Sequence, residues 1–176
     1  ANKLGKKEES KDWKNKSDEL LEKLIKRSWN GDKFVFKMSG TEDYLEEGNS
    51  ILSFVPLLLG EKLPEDIKNK MIDDIKNKGY ITEWGLLNES KDSPVFSDTY
   101  GCCQIWPPLN LFVIKGLYKS GEIELAKSLA KKFCDNMAKE GFSESYSPYT
   151  GEGLYDPSYT WTASVFTILV QDILMK

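Results

Sequence analysis

The chain has 176 residues, 40% of them hydrophobic and 12% aromatic, enough to bury a core and short enough to favour one domain. Its net charge of -4, with Lys and Glu mixed along the same stretches, excludes the basic stripe that a nucleic-acid backbone requires, so a small or neutral substrate fits better. The absence of histidine excludes Ser-His-Asp hydrolysis, Cys-His chemistry, histidine-ligated zinc and imidazole acid–base catalysis, and leaves carboxylates as the natural catalysts.

Residues 1–16 read as a solvated lead-in, with positive charge but no apolar stretch behind it of the kind a secretory signal carries. Residues 17–176 read as a single helical domain. Ser17, with Asp18 and Glu19 behind it, has the form of an N-cap, and Leu20, Leu21, Leu24 and Ile25 continue at helical spacing until Asn30-Gly31 stops the helix. Phe34 to Phe36 form a short extended stretch, and the acidic segment from Thr41 to Gly48 is a turn. Residues 49–59 then read as a buried helix; their apolar run, Ile51 to Leu59, is about half of the roughly 20 residues needed to cross a bilayer and implies no membrane span. Pro64 at a first helical position, with Glu65 and Asp66 after it and Gly79 at the end, delimits the next helix.

From Tyr80 to Pro107 no helical period survives. This is the longest irregular segment, and long loops tend to carry function. Helices over Leu109 to Tyr118 and Ile123 to Met137 flank a turn at Ser120-Gly121. A second irregular stretch runs from Phe142 to Tyr159, and Trp161 to Leu174 forms a buried terminal helix. The expected fold is all-α, with about six helices paired as three hairpins. Antiparallel stacking of those hairpins puts the Ser120-Gly121 turn at one end and gathers both irregular loops at the other, where a site would lie.

Three cysteines cannot form an even disulfide framework, and the adjacent Cys102 and Cys103 cannot easily bridge each other. A reducing, cytoplasmic location is favoured. The pair could bind metal or act as a redox couple, but it lacks Cys-x-x-Cys spacing, and buried or loop thiols are expected. Asn88-Glu89-Ser90 has the form of a glycosylation triplet, which has no use in such a compartment. No cofactor or metal is expected.

Three segments together carry a family resemblance. They are Tyr100-Gly-Cys-Cys-Gln-Ile-Trp106-Pro-Pro-Leu-Asn110, then Glu144-Ser-Tyr146-Ser-Pro-Tyr-Thr150-Gly-Glu152-Gly, then Tyr159-Thr-Trp161-Thr-Ala-Ser164. In order and spacing they resemble the C-terminal halves of the toroidal α-glycosidases, a clan that includes trehalases, processing α-glucosidase I and mannosylglycerate hydrolase. The resemblance runs from about Leu20 to the C-terminus, with Pro56-Leu-Leu-Leu-Gly60 and Trp84-Gly-Leu-Leu87 at weaker family positions. It implies part of an (α/α)6 toroid of twelve helices, of which this chain supplies about half. It also implies inverting cleavage of an α-glucosidic or α-mannosidic bond, with Glu144 as general base. The clan's general acid is an upstream aspartate, and Asp32, Asp43, Asp92 and Asp98 do not sit in its motif. Cys102-Cys103-Gln104 departs from the family, which usually has Arg-Gly and a small apolar residue there.

An inverting glycosidase needs a protonated carboxylic acid at the leaving oxygen and a carboxylate holding water on the opposite face, about 6.5–9.5 Å apart. Glu144 suits the second role among Tyr146, Tyr149 and Tyr155; spacing alone favours a solvated loop glutamate, and the resemblance reverses that order. Glu152 could contact sugar hydroxyls or merely flank a turn between Gly151 and Gly153. Trp106 and Trp161 could wall a sugar pocket or pack in the core. Asn110 could donate to a sugar hydroxyl or satisfy backbone groups after Pro107-Pro108. Tyr100, Gln104 and Tyr146 complete the substrate-binding candidates that the resemblance implies.

Three readings follow: half of a hydrolase, a half-toroid that binds saccharide without cleaving it, or a structural helical fragment. The expected partners are an oligosaccharide or small glycoside, and either a second copy of the chain or a missing N-terminal half. A half-barrel exposes faces that its other half would cover, which favours oligomerisation. A symmetric pair brings two copies of Glu144 rather than an acid and a base, so symmetry alone does not restore the mechanism.

Overall fold

A computed structural model describes residues 1–41, 43–45, 48–97 and 103–176. Among the sequence expectations, Tyr100, Cys102, Asp98 and the acids Glu42, Glu46 and Glu47 lie outside the described residues. The chain divides into two compact units, Ala1–Glu46 and Glu47–Lys176.

The first unit is built on helix α1, Lys7–Ser28, followed by a small antiparallel pair, β1 (Phe36–Lys37) with β2 (Tyr44–Leu45). The helix starts ten residues before the cap expected at Ser17. The run from Lys7 to Ser28 contains neither Gly nor Pro. Glu8 and Glu9 favour the N-terminal dipole, and Lys14 reaches Asp18 one turn on at 3.0 Å, so Ser17 is absorbed into the helix. Trp29 packs edge-on to Phe34, with ring centroids 5.2 Å apart.

The second unit holds the core. Its first element, Ile51–Lys62, is a 3₁₀ segment where an α-helix was expected. Pro56 has no N–H for an α-helical bond and its ring crowds the preceding turn, and the backbone breaks again at Gly60, where φ is 57°. Ser50 caps the segment through its side chain. Helix α2, Glu65–Asn77, begins one residue after the expected position, with Pro64 as its N-cap. Helices α3, Pro107–Lys119, and α4, Ile123–Glu140, form a hairpin across the Ser120-Gly121 turn. Helix α5, Thr160–Leu169, ends in a widened π turn, Val170–Leu174.

Six helical segments longer than a single turn are thus present among the described residues, in the expected order. None is long and apolar enough to cross a membrane.

Packing follows from which faces are apolar. Helix α3 lies against the 3₁₀ segment so closely that a Cβ at Gly116 would stand 2.6 Å from Leu57 Cβ. Val113, Ile114 and Leu117 of α3 and Leu129, Phe133 and Met137 of α4 are buried within this unit, with Leu169 and Ile173 from the terminal helix. The i, i+4 series Leu129, Phe133, Met137 forms the inner face of α4.

Candidate functional site

The two irregular segments meet at one end of the second unit, as the hairpin order required. Strand β3, Ser145–Tyr146, pairs with β4, Gly153–Leu154, and Tyr146 also exchanges both backbone hydrogen bonds with Ile105, each 3.1 Å. Side chains tie the same loops together: Ser145 Oγ donates to Gln104 Oε1 at 2.9 Å, and Gln104 Nε2 donates to the Tyr155 hydroxyl at 2.7 Å. Tyr155 also has φ of 64°, an uncommon left-handed conformation for a residue with a side chain.

Asn110 organises the segment before α3. It is fully buried; its Oδ1 accepts the N–H of Leu86 at 2.7 Å, and its Nδ2 donates to the carbonyls of Leu86 at 2.9 Å and Trp106 at 3.0 Å. Of the two roles open to it in the sequence, it performs the backbone one. Gly85 makes this possible, since a Cβ there would stand 2.9 Å from Asn110 Oδ1 and 3.2 Å from the Phe133 ring. Trp106 is the N-cap of α3, with extended backbone, and Pro107 follows at the first helical position, where its missing N–H costs nothing.

Trp106 and Trp161 come together as neighbours, ring centroids 5.7 Å apart, with the Tyr159 ring tilted against Trp161 at 4.4 Å. Both indoles are half-buried. They line a pocket of about 490 Å3 with Ser50, Leu52, Asn88, Glu89, Pro108 and Leu109. Glu89 was not among the sequence candidates. The only signal it carries there is that of a carboxylate in the longest irregular segment, and its position depends on residue Asn49, forty residues away.

Glu144 lies immediately before β3 and is half-buried. Its backbone is held on both sides: its N–H donates to the Asp156 carbonyl at 2.8 Å, and its carbonyl accepts the indole N–H of Trp161 at 3.1 Å. The buried Thr162 hydroxyl holds the preceding carbonyl, that of Ser143, at 2.7 Å. The general-base candidate thus sits on a rigid peptide attached to one of the two indoles of the pocket.

The remaining candidates fall elsewhere. Tyr146 is fully buried, its hydroxyl donating to Gly141 O at 2.6 Å and its ring meeting Phe133 edge-on; burial pushes its phenol pKa up. Gln104 is buried between the loops. Glu152 is exposed and bonded within its own turn, its Oε2 accepting from Thr150 Oγ1 at 3.1 Å. Cys103 is a buried thiol whose sulfur accepts the Ser97 N–H at 2.9 Å.

Comparison with known proteins places this arrangement. The chain is similar in structure to a GH63 mannosylglycerate hydrolase from Thermus thermophilus, solved in complex with glucose, at 22% identity and a TM-score of 0.74 over 90% of this chain. It is similar to the neutral trehalase of Saccharomyces cerevisiae at 19% identity and a TM-score of 0.69 over 92% of this chain. A sialidase shares the fold at 13% identity, with a TM-score of 0.73. Such likeness speaks for the fold, part of an α/α toroid. The chain spans 40% of the length of the mannosylglycerate hydrolase and 30% of the trehalase. No curated protein sequence matches it. The family model for the mannosylglycerate hydrolase MGH1-like glycoside hydrolase domain matches residues 1–162, and with the three motifs joined at one end of the helices, the chain belongs to that glycoside hydrolase family.

Proposed function

We propose that the chain is the C-terminal portion of the catalytic domain of an inverting α-glycosidase, residues 17–176 forming its half of the toroid and Glu144 acting as general base. The observation that carries this is the Trp161 indole, which both walls the pocket and holds the Glu144 carbonyl. A base that must keep one water on the face of a sugar ring needs a fixed backbone beside an apolar platform, because a displacement of an ångström misaligns the attack. In this reading Trp106 and Trp161 stack on the sugar. Asn110, Tyr146 and the Ser145–Gln104–Tyr155 chain position the loops that carry them, and Tyr100 and Glu152 are proposed as further substrate contacts.

The leaving oxygen must be protonated by a second carboxyl group. The relatives are more than twice as long as this chain, and the acid is proposed to come from the part of the barrel outside it, in the same polypeptide or a partner. Glu144 then removes a proton from water as the water attacks the anomeric carbon, the acid gives its proton to the departing oxygen, and the product has the opposite anomeric configuration. The substrate class is an oligosaccharide or small glycoside with an α-glucosyl or α-mannosyl residue. A reducing, cytoplasmic setting belongs to the same proposal, supported by the buried thiols Cys103 and Cys134.

A second reading is favoured by one feature: this chain itself supplies both indoles of the aromatic pocket, so saccharide binding without cleavage is within its reach. Hydrolysis separates the two. With α-linked disaccharides and glycosylated acids as substrates, the protein should release reducing sugar, and the β-anomer should be first-formed by proton NMR. Glu144→Gln should lower the rate by about a hundredfold or more while leaving the fold intact. Retained activity in that variant would overturn the assignment of the base. Sugar binding lost in Trp106→Ala, with no hydrolysis of any substrate, would leave the binding reading.

A further inference from the structure

Glu89 puts a negative charge where the fold does not call for one. Its residue is 5% exposed, it lines the Trp106–Trp161 pocket, and one carboxylate oxygen, Oε1, accepts the backbone N–H of Asn49. Glu89 is also bridged to Ser50 through the backbone, and Tyr80 donates its hydroxyl to the Asn49 carbonyl at 2.9 Å. The residue that holds the carboxylate is therefore itself held, through its carbonyl. No Lys or Arg forms an ion pair with Glu89 among the described residues.

Burying a carboxylate with no cation beside it is costly, and the Asn49 N–H would be accepted equally well by a neutral amide. The structural contact therefore accounts for the hydrogen bond and not for the charge. Glu89 lines a pocket that also holds two flat indoles, two apolar residues from the start of α3 and the small polar Ser50. Indole faces take the C–H face of a pyranose, and an ionised carboxylate, which only accepts hydrogen bonds, takes the hydroxyls along the ring's edge, two adjacent ones at once when the geometry allows. Hydrogen bonds to a charged acceptor are the stronger class, so one such group contributes much of the affinity for a small neutral sugar. The same charge repels a carboxylate on the sugar.

We propose that Glu89 is the specificity-determining residue of this pocket, binding hydroxyls of the glycone between Trp106 and Trp161 and selecting a neutral hexose over a uronic acid. This rests on the glycosidase reading of the pocket. It assigns Glu89 a contact with the substrate and no part in proton transfer.

The test is titration of tryptophan fluorescence, which reports from the pocket walls themselves, on the protein in its full length. Ligands are methyl α-D-glucopyranoside, methyl α-D-mannopyranoside and methyl α-D-glucuronide. The parent should bind at least one hexoside about tenfold or more tightly than the glucuronide. Glu89→Gln keeps an acceptor for Asn49; it should weaken the hexoside about ten- to a hundredfold and remove the preference against the glucuronide. Unchanged hexoside affinity in Glu89→Gln, with Trp106→Ala binding weakly, would overturn the role of Glu89 and leave the glycosidase reading standing. If no hexoside binds the parent, the saccharide reading of the pocket falls as well. Should Glu89→Gln fail to fold, the parent decides alone: a glucuronide bound as tightly as the hexosides overturns the proposal.

Discussion

The indole N–H of Trp161 donates to the backbone carbonyl of Glu144 across 3.1 Å, joining the first turn of α5 to the residue immediately before β3. Trp161 is thereby placed between two tasks, since its ring also leans on Tyr159 and Trp106. Replacing it by Phe keeps a ring in place and removes the donor. Trp161→Phe should cost about 1 kcal/mol of stability and lower kcat several-fold with a smaller change in KM, because the proposed base loses its tether while most of the stacking surface remains. Steady-state kinetics and urea unfolding of the same variant read both numbers. An unchanged kcat would detach the tether from catalysis.

Asn110 holds three backbone groups at once, and its truncation should be among the most damaging single changes. Asn110→Ala strands the buried N–H and carbonyl of Leu86 and is expected to cost about 2–4 kcal/mol. Asn110→Asp is the sharper version. It preserves the acceptor for Leu86 N–H but turns a carboxylate toward the carbonyls of Leu86 and Trp106, so it should destabilise as much as alanine despite its nearly identical shape. Equilibrium denaturation checks both.

The 3₁₀ segment and α3 approach each other because residue 116 has no side chain. A methyl group there meets Leu57 at 2.6 Å and its backbone at 3.0 Å, and the segment must move outward. Gly116→Ala should therefore destabilise by about 1–3 kcal/mol, against the small gain that Ala normally brings to a helix interior. A higher unfolding midpoint would show that the two elements slide apart freely.

Alkali should weaken the fold in a defined order. Burial raises the Cys134 thiol pKa to about 11 from an ordinary value of 9.0, and the thiol is neutral in both states below pH 9. Between pH 9 and 11 the unfolded chain loses this proton and the folded one keeps it, so stability falls as pH rises, by on the order of 2 kcal/mol from this group. Tyr80 and Tyr146, also raised by burial, extend the loss upward from about pH 10. Denaturant titrations at pH 8, 10 and 11 should show the decline, with Cys134→Ala flattening its first part. A stability that rises with pH over this range would contradict the assigned burial.

Helices and punctuation were legible because they depend on neighbours. The apolar spacing in α4, the Pro107-Pro108 start of α3 and the Ser120-Gly121 turn act within a few residues. Failures of the same reading were local conflicts. Ser17 looked like a cap, but nothing around it stops a helix. The run Ile51 to Leu59 has helical content that Pro56 and Gly60 do not let close into α-helical turns. The family motifs, and with them Glu144, Trp106 and Trp161, were also readable, since the order of chemistry-bearing residues is a property of the chain.

What each residue of a motif does was not readable. Trp106 and Asn110 stand four positions apart in one motif, yet one lines the pocket and the other is buried beneath it, pinned to Leu86. Two residues after Glu144, Tyr146 turns into the core against Phe133. Glu89 enters the site only because Asn49 anchors it across forty positions of chain. Sequence by itself determined the helices, the family and the identity of the candidate base, since periodicity, capping and residue order are local quantities. Tertiary structure alone decided which side chains face the pocket and which support it, because burial and hydrogen-bond partnership are set by groups that folding brings from distant parts of the chain.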